Sequence, residues 1–331
     1  MSTSKLHRQL LEKIEKGLQD LLLPDDPQTL YQPFRYALDV GGKRIRPLLT
    51  CLACGICGGD TEDALPAALA VEILHNFTLV HDDIMDSAET RRGEPSVYKK
   101  WNENIAILSG DVMFADAYRQ LAAYGQNDAF TKQEYTALHD VFSEAVITVC
   151  EGQALDMEFV NRTSVSHNEY IRMIAGKTAA LLSASLEMGA IAAHASPQMR
   201  EELAELGHEM GIAFQIQDDL LDAVADPEKF GKKPGGDIYE GKKTYLTILA
   251  LERADEDQKR FIQSVLDAQD PTQEEVEKVL SLMGSLNVLD DVAAETDQHY
   301  QKALNLLQSF DSSEYQQELK NLLIFLRNRD H

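Results

Sequence analysis

Apolar residues recur every three or four positions along almost the whole chain, and this spacing predicts helices. No two alternating β-branched runs are joined by a hairpin turn, so no sheet is predicted. The 331 residues contain no evident linker or short repeat, which favours one all-α domain spanning 1–331. The predicted helices are 6–23, 28–39, 45–57, 65–86, 105–124, 132–160, 167–193, 199–224, 246–253, 257–268, 273–282, 288–307 and 313–328.

The pattern D-D-x-x-D occurs twice, at 82–86 and at 218–222, each time inside an apolar predicted helix. Within a helix the first and last aspartates share a face, and the middle one lies beside them. Carboxylates this close repel one another and resist burial, so a cation must offset their charge. Oxygen ligands without cysteine suit Mg²⁺ better than zinc or iron. The six aspartates are Asp82, Asp83, Asp86, Asp218, Asp219 and Asp222.

Basic residues accompany both clusters. The turn Gly41–Pro47 opens a predicted helix with three cations, an arrangement that offers charge and backbone N–H groups to a phosphate. Other basic residues follow or bracket the aspartates, namely Arg91, Arg92, Lys177, Lys232 and Lys242. Each aspartate cluster thus has basic residues near it in sequence, and this arrangement predicts binding sites for two anionic groups. Metal bridges to Asp82, Asp86 and Asp218 would hold one diphosphate, whereas a second would be held directly by Lys43, Arg46, His75 and Arg92. The apolar helix surface between these two sites suits hydrocarbon tails.

The composition narrows the function further. A formal net charge of −24 argues against nucleic acid as a partner. No apolar run is long enough to span a bilayer, and the first residues lead into a polar helix rather than a signal-peptide core. We therefore expect a cytoplasmic protein.

The motifs together resemble those of the trans-isoprenyl diphosphate synthase (polyprenyl synthetase) family, and they follow the family's order. The matching segments are GGKRIRP at 41–47, LHNFTLVHDDIMDSAETRRGEP at 74–95, GKT at 176–178, FQIQDDLLD at 214–222 and FGKKPGGDIYEGKKT at 230–244. The resemblance implies an isoprenoid synthase-like helical bundle with a central apolar cavity, and a homodimer. It also implies Mg²⁺-dependent, head-to-tail trans condensation of isopentenyl diphosphate with an allylic diphosphate.

The resemblance assigns a role to each residue of these motifs. The ligands of about two or three Mg²⁺ ions would be Asp82, Asp86 and Asp218, supported by Asp83, Asp219 and Asp222. The allylic diphosphate would contact Arg91, Lys177, Lys232 and Lys242. Isopentenyl diphosphate would contact Lys43, Arg46, His75 and Arg92. The nascent cation would lie beside Thr178 and Gln215. A weaker family pattern includes Gln153 and Asp156. The family's basic C-terminal tail is matched incompletely, because Asp330 and His331 follow Arg327 and Arg329.

Product length is predicted from positions upstream of Asp82. Phe77 lies five residues before it, about 7.5 Å along a helix, and Thr78 lies four residues before it. A bulky ring near the floor of the cavity limits elongation, whereas the smaller Thr78 leaves room. This combination resembles geranylgeranyl diphosphate synthases, and farnesyl diphosphate is the second choice.

Three alternatives remain open from the sequence. Glu72-x-x-His75 and Glu205-x-x-His208 are E-x-x-H pairs of the kind used by di-iron carboxylate bundles. That reading leaves the aspartate clusters and the GGKRIRP turn unexplained. A terpene cyclase usually has one aspartate-rich cluster rather than two. A non-catalytic prenyl synthase subunit could dispense with several of the charges that this chain retains.

Overall fold

The computed structural model describes residues 4–224 and 234–329, and these segments are almost entirely helical, which confirms the predicted all-α class. In chain order the helices are α1 (Lys5–Gln19), α2 (Gln28–Asp39), α3 (Ile45–Ile56), α4 (Leu65–Met85), α5 (Val97–Lys100), α6 (Glu103–Gly125), α7 (Lys132–Val160), α8 (His167–Ile174), α9 (Ala180–Ala192), α10 (Pro197–Val224), α11 (Gly236–Tyr239), α12 (Tyr245–Arg253), α13 (Glu256–Leu266), α14 (Gln273–Ser285), α15 (Val288–Leu307) and α16 (Glu314–Arg327). None of the helices in the described segments combines the length and apolar character needed to cross a bilayer.

Several helices begin where a side chain accepts a backbone N–H of the first turn. Ser166, Asp255 and Thr272 each form a full capping box with the residue three positions on. Asn102 and Thr244 cap α6 and α12 with a single side-chain bond. These polar residues stand just before periodic apolar segments, so most predicted boundaries agree with the structure to within a few residues.

A small hairpin between α4 and α5 was not predicted. Strands β1 (Thr90–Arg91) and β2 (Glu94–Pro95) are antiparallel, with Thr90 opposite Pro95 and Arg91 opposite Glu94. The connecting residue Arg92 has a left-handed φ of 55°, as two-residue hairpin turns require. The expectation of no hairpin was wrong here because two-residue strands are too short to show an alternating pattern.

The helix predicted over 167–193 is interrupted. Between α8 and α9, residues Ala175–Ala179 form a π-helical segment, which we call the π segment. A π turn inserts an extra residue without changing the apolar character of the sequence, so periodicity does not reveal it. Such segments often occur at functional sites, and this one contains the Gly176–Thr178 motif.

The contact pattern divides the chain into two compact units, with boundaries inside α7, α9, α10 and α16 and another between α15 and α16. The first unit comprises 1–144, 184–204 and 310–319, and the second comprises 145–183, 205–309 and 320–331. The prediction of a single domain over 1–331 therefore stays a prediction.

In the first unit, apolar side chains of α3, α4 and α6 form much of the core, among them Leu49, Ile73, Leu74 and Met113, all fully buried. Burial of each such side chain contributes about 1.5–3 kcal/mol relative to exposure. This core fixes α4, whose last turn carries the first aspartate cluster.

In the second unit, α8, α10 and α12 to α15 surround a separate apolar cluster that includes Ile212, Ile216, Leu246 and Val279. Ile212 and Ile216 lie on the buried face of α10, six and two residues before Asp218. The core of the second unit thereby fixes that cluster.

Candidate active site

The turn Gly41–Pro47 of the first unit has an unusual backbone. Gly41, Gly42 and Arg44 all have positive φ, at 81°, 148° and 48°. Arg44 is the N-terminal cap of α3, so Lys43 lies just before the helix and Arg46 lies in its first turn. Lys43 is exposed, whereas the Arg46 side chain turns inward.

Arg46 and His75 form the centre of a positively charged site. An Arg46 guanidinium nitrogen lies 3.3 Å from His75 Nε2. Burial, together with the nearby arginines, holds the pKa of His75 well below its usual value, so the ring is neutral and accepts from Arg46. Burial also lowers the pKa of Arg46 to about 10, with Arg92 adding to the effect. Arg46 Nε is buried and makes no hydrogen bond to any described residue. A half-buried cation whose buried Nε has no hydrogen-bond partner favours an anionic ligand.

Arg92 joins this site because Gly42 lets it approach closely. A methyl group at Gly42 would lie 2.8 Å from both terminal nitrogens of the Arg92 guanidinium. The hairpin therefore packs directly against the turn, and any other residue at 42 would displace Arg92. Burial lowers the pKa of Arg92, and Arg44 and Arg91 act in the same direction. Arg46, His75 and Arg92 of the predicted group are described by these contacts, whereas the part of Lys43 in it stays a prediction.

The three aspartates of the first cluster have different environments. Asp83 is 2% exposed and accepts from Arg91 at 2.7 and 2.8 Å. Asp82 is half-buried and Asp86 is exposed, one helical turn apart at the end of α4. Arg91 therefore neutralises the middle carboxylate, which leaves the flanking pair as the more accessible metal ligands.

Phe77 lies on α4 within a series of aromatic rings. Its centroid is 4.6 Å from that of His81 and 5.5 Å from that of Phe114 on α6. The Thr78 hydroxyl donates to the His75 carbonyl at 2.8 Å, so it is used within its own helix. The Phe77 ring is held from two sides, which suits a residue that blocks a cavity.

In the second unit the π segment holds Lys177 and Thr178. Lys177 Nζ donates to Asp156 Oδ2 of α7 at 2.5 Å. The Thr178 hydroxyl donates to Gln215 Oε1 of α10 at 2.7 Å. These contacts give Asp156 a role in positioning Lys177, which the weaker family pattern around Asp156 did not specify.

Asp219 is the buried member of the second cluster. The Tyr170 hydroxyl donates to one carboxylate oxygen at 2.5 Å, and Gln215 Nε2 donates to the other at 3.0 Å. Burial, with Asp237 nearby, raises the pKa of Asp219 to about 8. Thr178, Gln215, Asp219 and Tyr170 thus form one continuous hydrogen-bonded row. Tyr170 was not predicted, since nothing around it in sequence distinguishes it from a core tyrosine.

Asp222 organises the segment that follows the cluster. The Asp237 N–H donates to its Oδ2 at 3.0 Å. Burial and the Asp222 charge raise the pKa of Asp237 to about 6. Burial opposes the charge on Lys242, but the Asp237 and Glu240 carboxylates, at 3.6 and 2.6 Å, raise the pKa of this lysine. Asp237 was not among the predicted site residues. The predicted residue Lys232 lies outside the described residues.

Asp218 forms an ion pair with Arg329, near the C-terminus. The Arg329 guanidinium also donates to the Phe214 carbonyl at 3.1 Å and lies 4.1 Å from the centroid of the Phe214 ring. Its side chain is 7% exposed, compared with 41% for that of Asp218. Arg329 belongs to the C-terminal segment that matches the family's basic tail incompletely. It nevertheless contacts Asp218, a predicted metal ligand.

The donor atoms suit magnesium but do not form a complete cage. Within the described segments, no three His, Cys, Asp or Glu side chains form a group that could hold a metal ion. Mg²⁺ typically takes one or two carboxylates and completes its shell with water and substrate phosphate, and Asp82, Asp86 and Asp218 offer only carboxylate oxygens. The E-x-x-H pair on α4 does not support a di-iron site. Glu72 contacts Arg44 at 2.7 Å, and His75 contacts Arg46.

Comparison with known proteins agrees with these features. The family model described as polyprenyl synthetase matches residues 27–283. The short chain isoprenyl diphosphate synthase of Methanocaldococcus jannaschii is 42% identical over 276 residues, covering 83% of this chain and 82% of that protein. The geranylgeranyl diphosphate synthase of Sulfolobus acidocaldarius is 36% identical over 308 residues, covering 91% of each. A solved structure, geranylgeranyl pyrophosphate synthetase from Pyrococcus horikoshii, has a TM-score of 0.89 and 35% identity, with 98% of this chain and 97% of that one covered.

Proposed function

The chain belongs to the polyprenyl synthetase family, and we propose that it condenses isopentenyl diphosphate with an allylic diphosphate to give geranylgeranyl diphosphate. The observation that carries this proposal is Arg46, whose Nε is buried and has no hydrogen-bond partner among the described residues. A cation in that position favours an anionic ligand, because burial without a partner is costly.

Isopentenyl diphosphate binds at the first unit's basic group. Lys43, Arg46 and Arg92 supply charge and fork-shaped donors that match phosphate geometry. The neutral His75 ring accepts from Arg46 and so orients its guanidinium. This site needs no metal, since its groups are cationic or neutral.

The allylic diphosphate binds at the aspartates. The residues that would hold magnesium, as about two or three ions, are Asp82, Asp86 and Asp218, and Asp83, Asp219 and Asp222 would support them. Arg91, Lys177 and Lys242 contact the same diphosphate, and the role of Lys232 stays a prediction. When bound, the metal neutralises the pyrophosphate that leaves the allylic carbon.

The remaining chemistry depends on the chain's own side chains. Thr178 Oγ and the Gln215 carbonyl lie 2.7 Å apart in one hydrogen-bonded row, and such dipoles stabilise positive charge near the ionising carbon. The isopentenyl double bond, positioned by its own phosphate site, attacks that carbon. The proton then leaves with the released pyrophosphate. Apolar walls exclude water, which would otherwise trap the cation.

Product length follows from Phe77 and Thr78. The Phe77 ring, packed against His81 and Phe114, sets the floor that the growing chain meets. Geranylgeranyl diphosphate is the proposed product, and farnesyl diphosphate is the second candidate. The Sulfolobus acidocaldarius relative, which bears the name of a geranylgeranyl diphosphate synthase, supports the longer product.

We also propose a homodimer, as the family resemblance suggests. Ile107 and Leu108 of α6 are 43% and 52% exposed, which is unusual for adjacent large apolar residues. Light scattering should give the mass of a dimer for the wild type and of a monomer for the double variant Ile107→Glu/Leu108→Glu. A monomeric wild type would contradict the proposal.

Turnover is tested with labelled isopentenyl diphosphate, Mg²⁺ and each allylic starter in turn. After dephosphorylation, chromatography should show geranylgeraniol as the main product, and chelation of divalent metal should abolish it. Asp82→Asn and Asp218→Asn should each lose about a hundredfold or more in turnover, whereas Asp290→Asn, on α15, should retain full activity. A wild-type protein that is folded yet forms no product would favour the non-catalytic subunit instead.

A further inference from the structure

Arg44 lies between two residues of the proposed isopentenyl diphosphate site, yet its own side chain points elsewhere. It is 4% exposed as a residue and stands at the N-terminus of α3, between Lys43 and Arg46. The sequence alone gives no reason to separate these three cations. The structure does, because their partners differ.

The Arg44 guanidinium uses every nitrogen on a protein partner. Nε donates to Glu15 Oε1 at 2.8 Å, and one terminal nitrogen donates to Glu72 Oε1 at 2.7 Å. The other donates to the Leu38 carbonyl at 2.7 Å. Arg44 thereby joins α1, the end of α2 and α4 at a single point. These partners take three of the five guanidinium N–H donors, and the side chain is only 3% exposed, so a diphosphate has little access to the other two.

Glu72 makes this contact costly to remove. Its side chain is 2% exposed, and Asn76 Nδ2 donates to the same Oε1 at 3.1 Å. Without Arg44 the buried carboxylate would lose its hydrogen-bonded cation and keep only the charges of Arg46 and Arg92 nearby, a situation that costs several kcal/mol. Glu15, in contrast, is 42% exposed and contributes less.

Two arginines at the start of α3 therefore contact two different residues of α4. Glu72 and His75 are one turn apart on the same helical face. Glu72 holds Arg44, and His75 contacts Arg46. Arg44 also has a left-handed φ of 48°, which costs a non-glycine residue about 1–2 kcal/mol and needs outside support.

We propose that Arg44 is a positioning residue for isopentenyl diphosphate. Its contacts with Glu72, Glu15 and the Leu38 carbonyl fix the left-handed turn that directs Lys43 and Arg46 toward the anion. Arg44 itself does not touch the ligand. This inference rests on the proposed function. It predicts that Arg44 affects the binding of isopentenyl diphosphate and not that of the allylic diphosphate.

The test is the double variant Arg44→Met/Glu72→Gln. Arg44→Met alone leaves a buried charge and is expected to unfold readily, whereas neutralising both partners removes that penalty. In the double variant, KM for isopentenyl diphosphate should rise about tenfold, while kcat and KM for the allylic diphosphate change less than about twofold. Arg44→Lys, which keeps the charge but lacks the fork, should give an intermediate rise.

A matched control is Arg200→Met/Glu187→Gln, which removes another arginine–glutamate pair of the first unit, with a separation of 3.1 Å. It should leave both KM values unchanged. The proposal is overturned if the Arg44 double variant keeps its KM for isopentenyl diphosphate, or if kcat and both KM values change together.

Binding without turnover separates this inference from the proposed function. Calorimetry with isopentenyl diphosphate in metal-free buffer measures the affinity of the basic site formed by Lys43, Arg46, His75 and Arg92 alone. If the wild type forms no product but binds this ligand, weaker binding by the Arg44 double variant still supports the inference. Equal binding by the two proteins overturns it, whatever the outcome of the turnover assay.

Discussion

Gly152 on α7 is the position where the smallest possible change should have a large effect. A methyl group there would lie 2.1 Å from the Lys177 backbone nitrogen and 2.6 Å from the Gly176 carbonyl carbon. Both are main-chain atoms of the π segment, so no side-chain rotation can relieve the overlap. Gly152→Ala therefore forces α7 and the π segment apart.

The size of the effect follows from these distances. Non-bonded heavy atoms rest about 3.5–4.0 Å apart, so a separation of more than about 1 Å is required. Overpacking of this kind costs about 1–3 kcal/mol, which outweighs the gain of up to about 1 kcal/mol from alanine's helix propensity. We expect a net loss of stability of about 1–2 kcal/mol. Displacing Lys177 and Thr178 by about 1 Å should lower kcat/KM by up to about a hundredfold.

The assay combines urea unfolding, followed by circular dichroism, with steady-state kinetics. Gly284→Ala provides the matched control, because a methyl group there meets no atom within 4 Å. That variant lies inside α14 and should gain up to about 1 kcal/mol in stability while keeping full activity. The reasoning is refuted if Gly152→Ala unfolds at the wild-type urea concentration and retains wild-type kcat/KM.

Three further results are expected. Phe77→Ala should shift the product toward longer chains because the floor of the cavity moves away; an unchanged product on chromatography would contradict this. Arg329→Gln removes the cation paired with Asp218, so it should change the affinity for Mn²⁺ measured by paramagnetic resonance, whereas Arg327→Gln, whose partner is Asp297, should not; identical titrations for both variants would count against the pairing. The pKa of His75 is lower in the folded protein than its ordinary 6.5, so below pH 6.5 the unfolded chain takes up a proton that the folded one refuses. Below pH 6.5, stability should therefore fall on acidification by at most about 1.4 kcal/mol per pH unit. The difference in unfolding midpoint between the wild type and His75→Gln should accordingly change with pH, and a difference that is constant with pH would contradict this assignment.

The helices were accessible from sequence because each has a long apolar face and many have a polar cap. The ranges 28–39, 132–160 and 288–307 agree with the structure at both ends. The hairpin at 90–95 and the π segment were not accessible. Both are set by local backbone geometry and by contacts with distant residues, such as the approach of Gly152, that no periodicity records.

The site was predictable at the level of motifs and less so at the level of partners. The sequence pattern placed Asp82, Asp83 and Asp86 together, but only the structure shows that Arg91 forms an ion pair with Asp83. In the same way, Tyr170 and Asp237 acquire their roles from the fold. Both residues contact partners that are distant in sequence, and no local sequence pattern distinguishes them.

Arg46 ties the folding of this protein to the supply of its ligand. Arg46 is half-buried, and its buried Nε has no hydrogen-bond partner among the described residues, so part of the compensation is left to a bound anion. A diphosphate bound there therefore acts as part of the native structure, adding about 2.7 kcal/mol of stability at a hundredfold excess over its dissociation constant. Shortage of that molecule should shorten the lifetime of the protein, and a melting experiment with graded isopentenyl diphosphate would follow the effect directly.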